Sequence, residues 1–386
     1  MTPTRRDFLG MSALGVFGLA SGARSATSRR EDGLLYVGTY TEDKRTAGVY
    51  IVRFDAASGA LRLVGTADVG PNPSFLALHP NGRVLYAVNE VDKYGAAPGG
   101  AIGAFKIGGD GSLTRIGEQL THGGSPCYVS VDRRGRAVFV ANYVGGNVAA
   151  LPIGADGSLA AASSVEQHQG KGPNAERQEG PHAHSIIPDP SGRFALSADL
   201  GADRIFVYRL DANAGTLSHV EAADGKLSPG AGPRHLAFHP TLPLVYVVNE
   251  LDSTITTFSF DTALGTLTPR RSLSALPTDW KGTSYAADIH VASLGNVLYV
   301  SNRGHNSIAV FTVAPTTGEL TATQWIPTEG DIPRNFGFDP SERWLLVANQ
   351  HSDNIVVYAR DMRNGHLTLT PHRLAIPSPV CVRFAA

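Results

Sequence analysis

Histidine, arginine and glutamate return along this chain at intervals that a folded repeat would bring together. His184 and Arg234 stand 50 residues apart, and Arg334 follows after a further 100. Glu90, Glu250 and Arg303 come sixteen residues beyond Ser74, Arg234 and Ala287 respectively. Guanidinium groups bind carboxylate or phosphate and stabilise oxyanions, whereas Glu and His take and return protons. Two or three arginines, a histidine and two glutamates therefore suit an anionic or polyhydroxylated small molecule. Arg234 and Glu250 read equally well as a cross-strand ion pair or as catalytic groups. His182-Ala-His184 puts two imidazoles on one face of an extended segment, half of a metal site. No nearby Asp-His or Glu-x-x-His completes it, so metal-free polar residues are expected. The chain has no G-x-S-x-G elbow and no reactive-cysteine context, which gives covalent catalysis little support.

Seven copies of one pattern, an apolar strand closing on a small polar residue, would position these groups. They are LLYVGTY, VLYAVNE, AVFVANY, FALSADL, LVYVVNE, VLYVSNR and WLLVANQ. Their markers, Thr39, Asn89, Asn142, Asp199, Asn249, Asn302 and Asn349, are spaced by 50, 53, 57, 50, 53 and 47 residues. A period of this size means repeated supersecondary units. Each unit holds four strand-like runs between turn residues; in the fifth they span 234–238, 244–249, 254–260 and 267–273. No segment keeps helical periodicity over three turns. The expected fold is all-β, a seven-bladed β-propeller of four-stranded antiparallel blades. The first unit begins at its second strand, and the chain ends on a spare first strand, residues 378–384, that aligns with 72–78. This C-terminal strand is expected to complete the first blade and remove two open sheet edges.

With the strands of a blade lettered A to D from the axis outward, strand A starts at Ser74, Cys127, His184, Arg234, Ala287, Arg334 and Val380. Strand B ends at Tyr40, Glu90, Tyr143, Leu200, Glu250, Arg303 and Gln350. In an antiparallel hairpin the start of one strand lies beside the end of the other, so all these positions are expected at one mouth of the channel. The Asn markers read mainly as turn-binding groups. Residues 160–181 form a polar, Gly/Pro-rich connection leading into His182, expected as a binding loop that carries His168, Lys171, Arg177 and Gln178 toward a ligand. The expected substrate-binding residues are Glu90, Tyr143, Arg177, Gln178, Asn249, His290 and Arg334.

Thr4-Arg5-Arg6-Asp7-Phe8-Leu9 and the apolar run 11–20 read as a twin-arginine export signal over residues 1–26, ahead of a propeller over residues 31–386. The run is too short to span a bilayer. The expectation is a periplasmic or secreted monomer that meets the twin-arginine export machinery and has no stable membrane anchor. With 33 Lys and Arg against 34 Asp and Glu, nothing basic enough to suggest nucleic-acid binding is present. The two cysteines, Cys127 and Cys381, form no CxxC and are expected as small buried apolar residues.

The runs GPNAERQEGPHAHS, ADLGADRIFVYRLD, GPRHLAFHPTLPLVYVVNELDSTITTF and LYVSNRGHNSIAVF resemble the seven-bladed propeller lactonases, the family of the propeller-type 6-phosphogluconolactonase and the 3-carboxy-cis,cis-muconate lactonising enzyme. The resemblance covers the chain after the signal. It implies a cofactor-free enzyme, with no metal, that hydrolyses a sugar lactone at one mouth of the propeller. His182 or His184, Arg234, Glu250 and Arg303 are the catalytic residues it carries over. Arg234 and Arg303 would hold the anion, Glu250 or His184 would activate water, and the other histidine would return the proton. Asp288 stands where the family usually has Glu. A lactonising isomerase and a non-catalytic ligand-binding propeller are the other classes compatible with these residues.

Overall fold

The computed structural model describes residues 33–42, 47–211 and 214–385; the expected export signal lies outside the described residues. Runs such as Val84–Asn89 and Leu244–Asn249 are rich in Val, Leu and Tyr, the composition of a strand covered on both faces. They are buried at every position because each is the second strand of a sheet wedged between neighbouring sheets. Outer strands such as Leu267–Ser274 are largely exposed.

Seven antiparallel blades result, six of four strands and one that gains a fifth, Gly225–Lys226, beside Arg204–Asp211. The closing strand, Pro379–Phe384, pairs with Gly33–Thr39 in the first blade. It is also tied to both flanking blades, since Val382 N donates to Asn335 Oδ1 at 2.7 Å and Leu76 N reaches Cys381 Sγ at 3.4 Å. Blade-to-blade packing has a recurring lock. Tyr36, Tyr86, Tyr246 and Tyr299, the tyrosines of four of the repeated patterns, donate to the carbonyls of Gly111, Gly157, Gly318 and Gly365 at 2.7–3.0 Å. A buried phenol needs such a partner. These glycines have φ between 70° and 89°, and a Cβ on Gly365 would come within 2.7 Å of the Tyr299 hydroxyl.

Two backbone devices aim side chains at the axis. Strand A is the inner edge of each blade, so Pro73, Pro126, Pro233, Pro333 and Pro379 can start it without robbing a ladder of a donor. Each follows a residue in the left-handed region: Asn72, Ser125, Gly232, Ile332 and Ser378, with φ between 42° and 65°. The carbonyls of those residues accept the N–H of Glu90, Tyr143, Glu250, Gln350 and Tyr40, which fixes where strand B ends. One residue later strand A bulges, leaving Cys127, His184, Arg234, Arg334 and Val380 unpaired, and in the sixth blade Ala287 with Asp288. A bulge re-aims its side chain. Here the unpaired residue meets the mouth while its successor points into the channel below.

Removing residues 378–386 strips the first blade of its inner strand and opens two sheet edges. The truncated protein is expected to melt well below the full-length chain in a thermal scan, and an unchanged Tm would contradict this closure.

Candidate active site

At the mouth formed by the strand A starts, a cavity of about 340 Å³ is lined by Glu90, Cys127, Tyr143, Arg177, His184, Glu250, Tyr285, Arg303 and Arg334. Glu250 is its organising group. Oε1 accepts a hydrogen bond from Arg177 Nη2 at 2.7 Å, and Oε2 pairs with Arg303 Nη2 at 2.8 Å. Arg234 Nε stands 3.1 Å from Oε2, off the hydrogen-bond direction, so this is a charge contact. Burial alone would raise the Glu250 pKa, but Arg303, Arg234, His184 and Arg177 outweigh it and hold the carboxyl well below the usual range. Arg234 does not line the cavity. It lies beneath Glu250, 3% exposed, its pKa pulled down to about 9 by burial and then by Arg303 and Arg334.

Glu90 has the opposite surroundings. Among the described residues its side-chain partners are hydroxyls: Tyr40 at 3.1 Å to both oxygens, and Ser74 Oγ in a short contact. Arg334 reaches Tyr40 instead, donating from Nη2 at 2.9 Å with its guanidinium over the ring. Burial raises the Glu90 carboxyl above its ordinary range against the pull of Arg334. His184 faces Glu250 and Cys127, with Nε2 4.0 Å from Glu250 Oε2 and Nδ1 3.6 Å from Cys127 Sγ. Burial, and then the charge of Arg234, push it well below the ordinary imidazole range, so it is a neutral acceptor at pH 7.

The channel is closed below this cup by the residues that follow each bulge. The rings of Phe75, Tyr128 and His235 meet at centroid distances of 4.2, 5.0 and 5.7 Å. Opposite them Asp288 accepts from His235 Nδ1 at 2.8 Å and from His290 Nε2 at 3.0 Å, and Asn335 Nδ2 also donates to it. Asp288 is thereby held well below the carboxylate range although burial opposes this. Because Asp288 takes the Nδ1 proton of His235, His235 Nε2 is left to accept from Arg234 Nη1, 3.2 Å away; Nη1 also donates to Ala287 O. Burial and Arg234 depress His235 to about 3, in keeping with that neutral tautomer. Arg234 is thus fixed from below by His235 and from above by Glu250.

Several expected residues stand elsewhere. The His184 ring meets Tyr143 edge-on at 5.3 Å, and His182 packs on the same tyrosine but stands outside the cavity wall. The His182 ring stacks on Tyr143 at 4.6 Å, with Nδ1 3.0 Å from Tyr143 O and Nε2 3.1 Å from Glu179 Oε1. Gln178 is buried and braces the loop, donating to Leu200 O at 2.8 Å and accepting from Asn174 N. Asn249 binds Thr254 and Thr256 hydroxyls, and His290 lies beyond the channel floor on Asp288. His168 is no lid residue: it is buried on Phe206 and bonded to Asp199 at 2.6 Å. Residues 164–167 of the expected loop form strand D, and the remainder delivers Arg177 to Glu250. Tyr285, Cys127 and the His235–Asp288 pair were not among the expected site residues. Cys127 and Cys381 are both buried and free, yet Cys127 faces the cavity.

The model of the family described as "Lactonase, 7-bladed beta-propeller" matches residues 34–384. The chain belongs to this family. It is 39% identical over 350 residues to a 6-phosphogluconolactonase of Bacillus subtilis, covering 90% of this chain and 97% of that relative. Among solved structures, a putative 6-phosphogluconolactonase from Bacteroides fragilis superposes with a TM-score of 0.86 at 33% identity, over 92% of this chain and 99% of the other. The periplasmic gluconolactonase of Pseudomonas aeruginosa gives 0.83 at 34% identity, again over 92% and 99%. In this propeller lactonase the mouth where Glu250 gathers the arginines is the candidate site.

Replacing Glu250 with Gln leaves three guanidiniums facing one another in a largely buried site, a loss of roughly 3–5 kcal/mol for a broken buried pair. The variant is expected to melt lower than wild type and to regain more Tm than wild type on addition of phosphate. Equal melting of the two proteins would show that the clamp carries no stability.

Proposed function

We propose that this protein hydrolyses an unphosphorylated aldonolactone to the open-chain acid. The observation that carries the reading is the convergence of Arg177, Arg303 and Arg334 with a neutral His184 in one cup closed from below. The substrate is uncharged, whereas the tetrahedral intermediate and the aldonate are anions, so the arginines of the cup favour the later species over the lactone. His184 takes a proton from water, the resulting hydroxide adds to the carbonyl carbon, and the oxyanion is stabilised by the arginines. Glu250, 4.0 Å away, steadies the imidazolium. The ring C–O bond then breaks, and Glu90, in the protonated form that its burial favours, gives its proton to the leaving alkoxide. His184 afterwards returns its proton to Glu90, and the new carboxylic acid ionises. Two carboxyls in unlike surroundings divide the work, one held charged and one able to keep a proton.

The choice of an unphosphorylated lactone follows from export. Phosphorylated sugar lactones belong to the cytoplasm, whereas residues 1–26 carry the twin-arginine pattern, and the P. aeruginosa relative is described as periplasmic. Among the described residues no helix is long and apolar enough to cross a membrane.

In a pH-stat assay on gluconolactone, His184→Ala and Glu90→Gln are each expected to lose about a hundredfold or more in kcat. Since only neutral His184 is the base and its pKa is depressed, the acid limb of kcat/KM is expected below pH 6.5, and a limb at or above that value contradicts the assignment. Substituting Lys for both Arg5 and Arg6 is expected to retain the protein in the cytoplasm; undiminished activity in the periplasmic fraction contradicts export by this route.

A further inference from the structure

The chain has three tryptophans, and two of them, Trp280 and Trp325, line one cavity of about 390 Å³ outside the cup. That volume falls within the roughly 300–1,000 Å³ of small-molecule sites. Pro277 and Pro327 extend the flat apolar walls, and Asp279, His305 and Ser307 add polar atoms. Its walls are held in place. Trp325 Nε1 donates to Ala275 O at 2.8 Å, and the Trp280 ring meets His305 edge-on with centroids 4.7 Å apart. Gly282 lies against Trp280, where a Cβ would strike the indole at 2.5 Å. His305 Nδ1 is bonded to Ser307 Oγ at 2.7 Å, while among the described residues its Nε2 has no protein partner and Trp280 Nε1 has no acceptor.

This pocket adjoins the cup. Residues 275–284 carry Trp280 into the pocket and run on into Tyr285, which lines the cup. Across the hairpin Arg303, paired with Tyr285, lines the cup, and His305, two residues on, lines the pocket. Charge distinguishes the two cavities. Arginines line the cup, whereas the pocket wall offers the Asp279 carboxylate and includes no Lys or Arg. An anion is repelled there and a neutral polyol is not. Indole and proline faces cover the C–H face of a pyranose, while a carboxylate and a free imidazole nitrogen bind its hydroxyls. A wholly apolar occupant would leave those polar groups unanswered.

We propose that the Trp280–Trp325 pocket is a glycosyl subsite, which binds a neutral pyranose unit attached to the lactone held in the cup. The lactone half rests on the function proposed above; the sugar half does not. Tryptophan emission of the full chain, titrated with cellobiose and with maltose, reads the sugar half directly. Saturable quenching or a shift in wild type, lost in Trp280→Ala and weakened in Asp279→Ala, is expected. No response to either sugar overturns the subsite. In hydrolysis assays, the preference for cellobionolactone over gluconolactone, as a ratio of kcat/KM, is expected to fall about tenfold in Trp280→Ala. A ratio unchanged in both variants, with sugar binding intact in wild type, overturns the link between pocket and cup and makes free saccharide the ligand. Sugar binding without turnover of any lactone leaves the pocket standing and removes the lactonase reading instead.

Discussion

A buried carboxylate shared by three guanidiniums holds the working end of this propeller together. Without Glu250, Arg177, Arg234 and Arg303 would repel one another in a site where water screens little. With it, Arg177 is drawn in from a long loop, Arg303 is held at the end of strand B of the sixth blade, and Arg234 is clamped below. In the proposed mechanism the remaining excess of positive charge is what the anionic transition state meets. The same clamp argues against Glu250 as the base, because a carboxylate stabilised by this many cations has a lowered affinity for a proton. In the proposed mechanism proton transfer falls instead to groups without direct cation partners, His184 and Glu90.

The fold supplies this arrangement through repetition. A proline at the inner edge, a left-handed residue before it and a bulge after it recur from blade to blade. Together they place a strand A side chain beside a strand B terminus at one height around the axis. What differs between blades is only the residue in each slot, so a polar cup can be written onto an otherwise uniform scaffold. The ring that plugs the channel below is equally consequential. His235 and Asp288 fix the orientation of Arg234, and Phe75 and Tyr128 pack beside His235 on the aromatic side of the plug. Asp288 has His235, His290 and Asn335 gathered around it.

Much of this was readable from the chain because a propeller is quasi-periodic: seven apolar strands at near-constant spacing leave few alternatives, and a sixteen-residue offset puts Arg234 beside Glu250 whatever the details. What periodicity does not reveal is the bulge. A strand read as ideally alternating makes His182 and His184 equivalent; both rings do pack on Tyr143, but only His184, left unpaired at the bulge, lines the cup. Loop residues were legible only as a group. Arg177 reaches the site because Gln178 and Asn174 shape the turn that carries it, and His168 is buried because Asp199 and Phe206 capture it, contacts that have no local sequence signature. Tyr285 was hidden for a related reason: its place in the wall comes from pairing with Arg303 across the widened bulge of the sixth blade.

The central claim is that Glu250, by gathering the arginines, makes this mouth a lactonase site without itself moving protons. The direct test is the pH dependence of gluconolactone hydrolysis by Glu250→Gln beside wild type, with folding of both verified. The account expects kcat to collapse because the guanidiniums lose their alignment, while the residual activity keeps an acid limb that still belongs to His184. Wild-type turnover in the variant, or loss of the acid limb with Glu250, would contradict it.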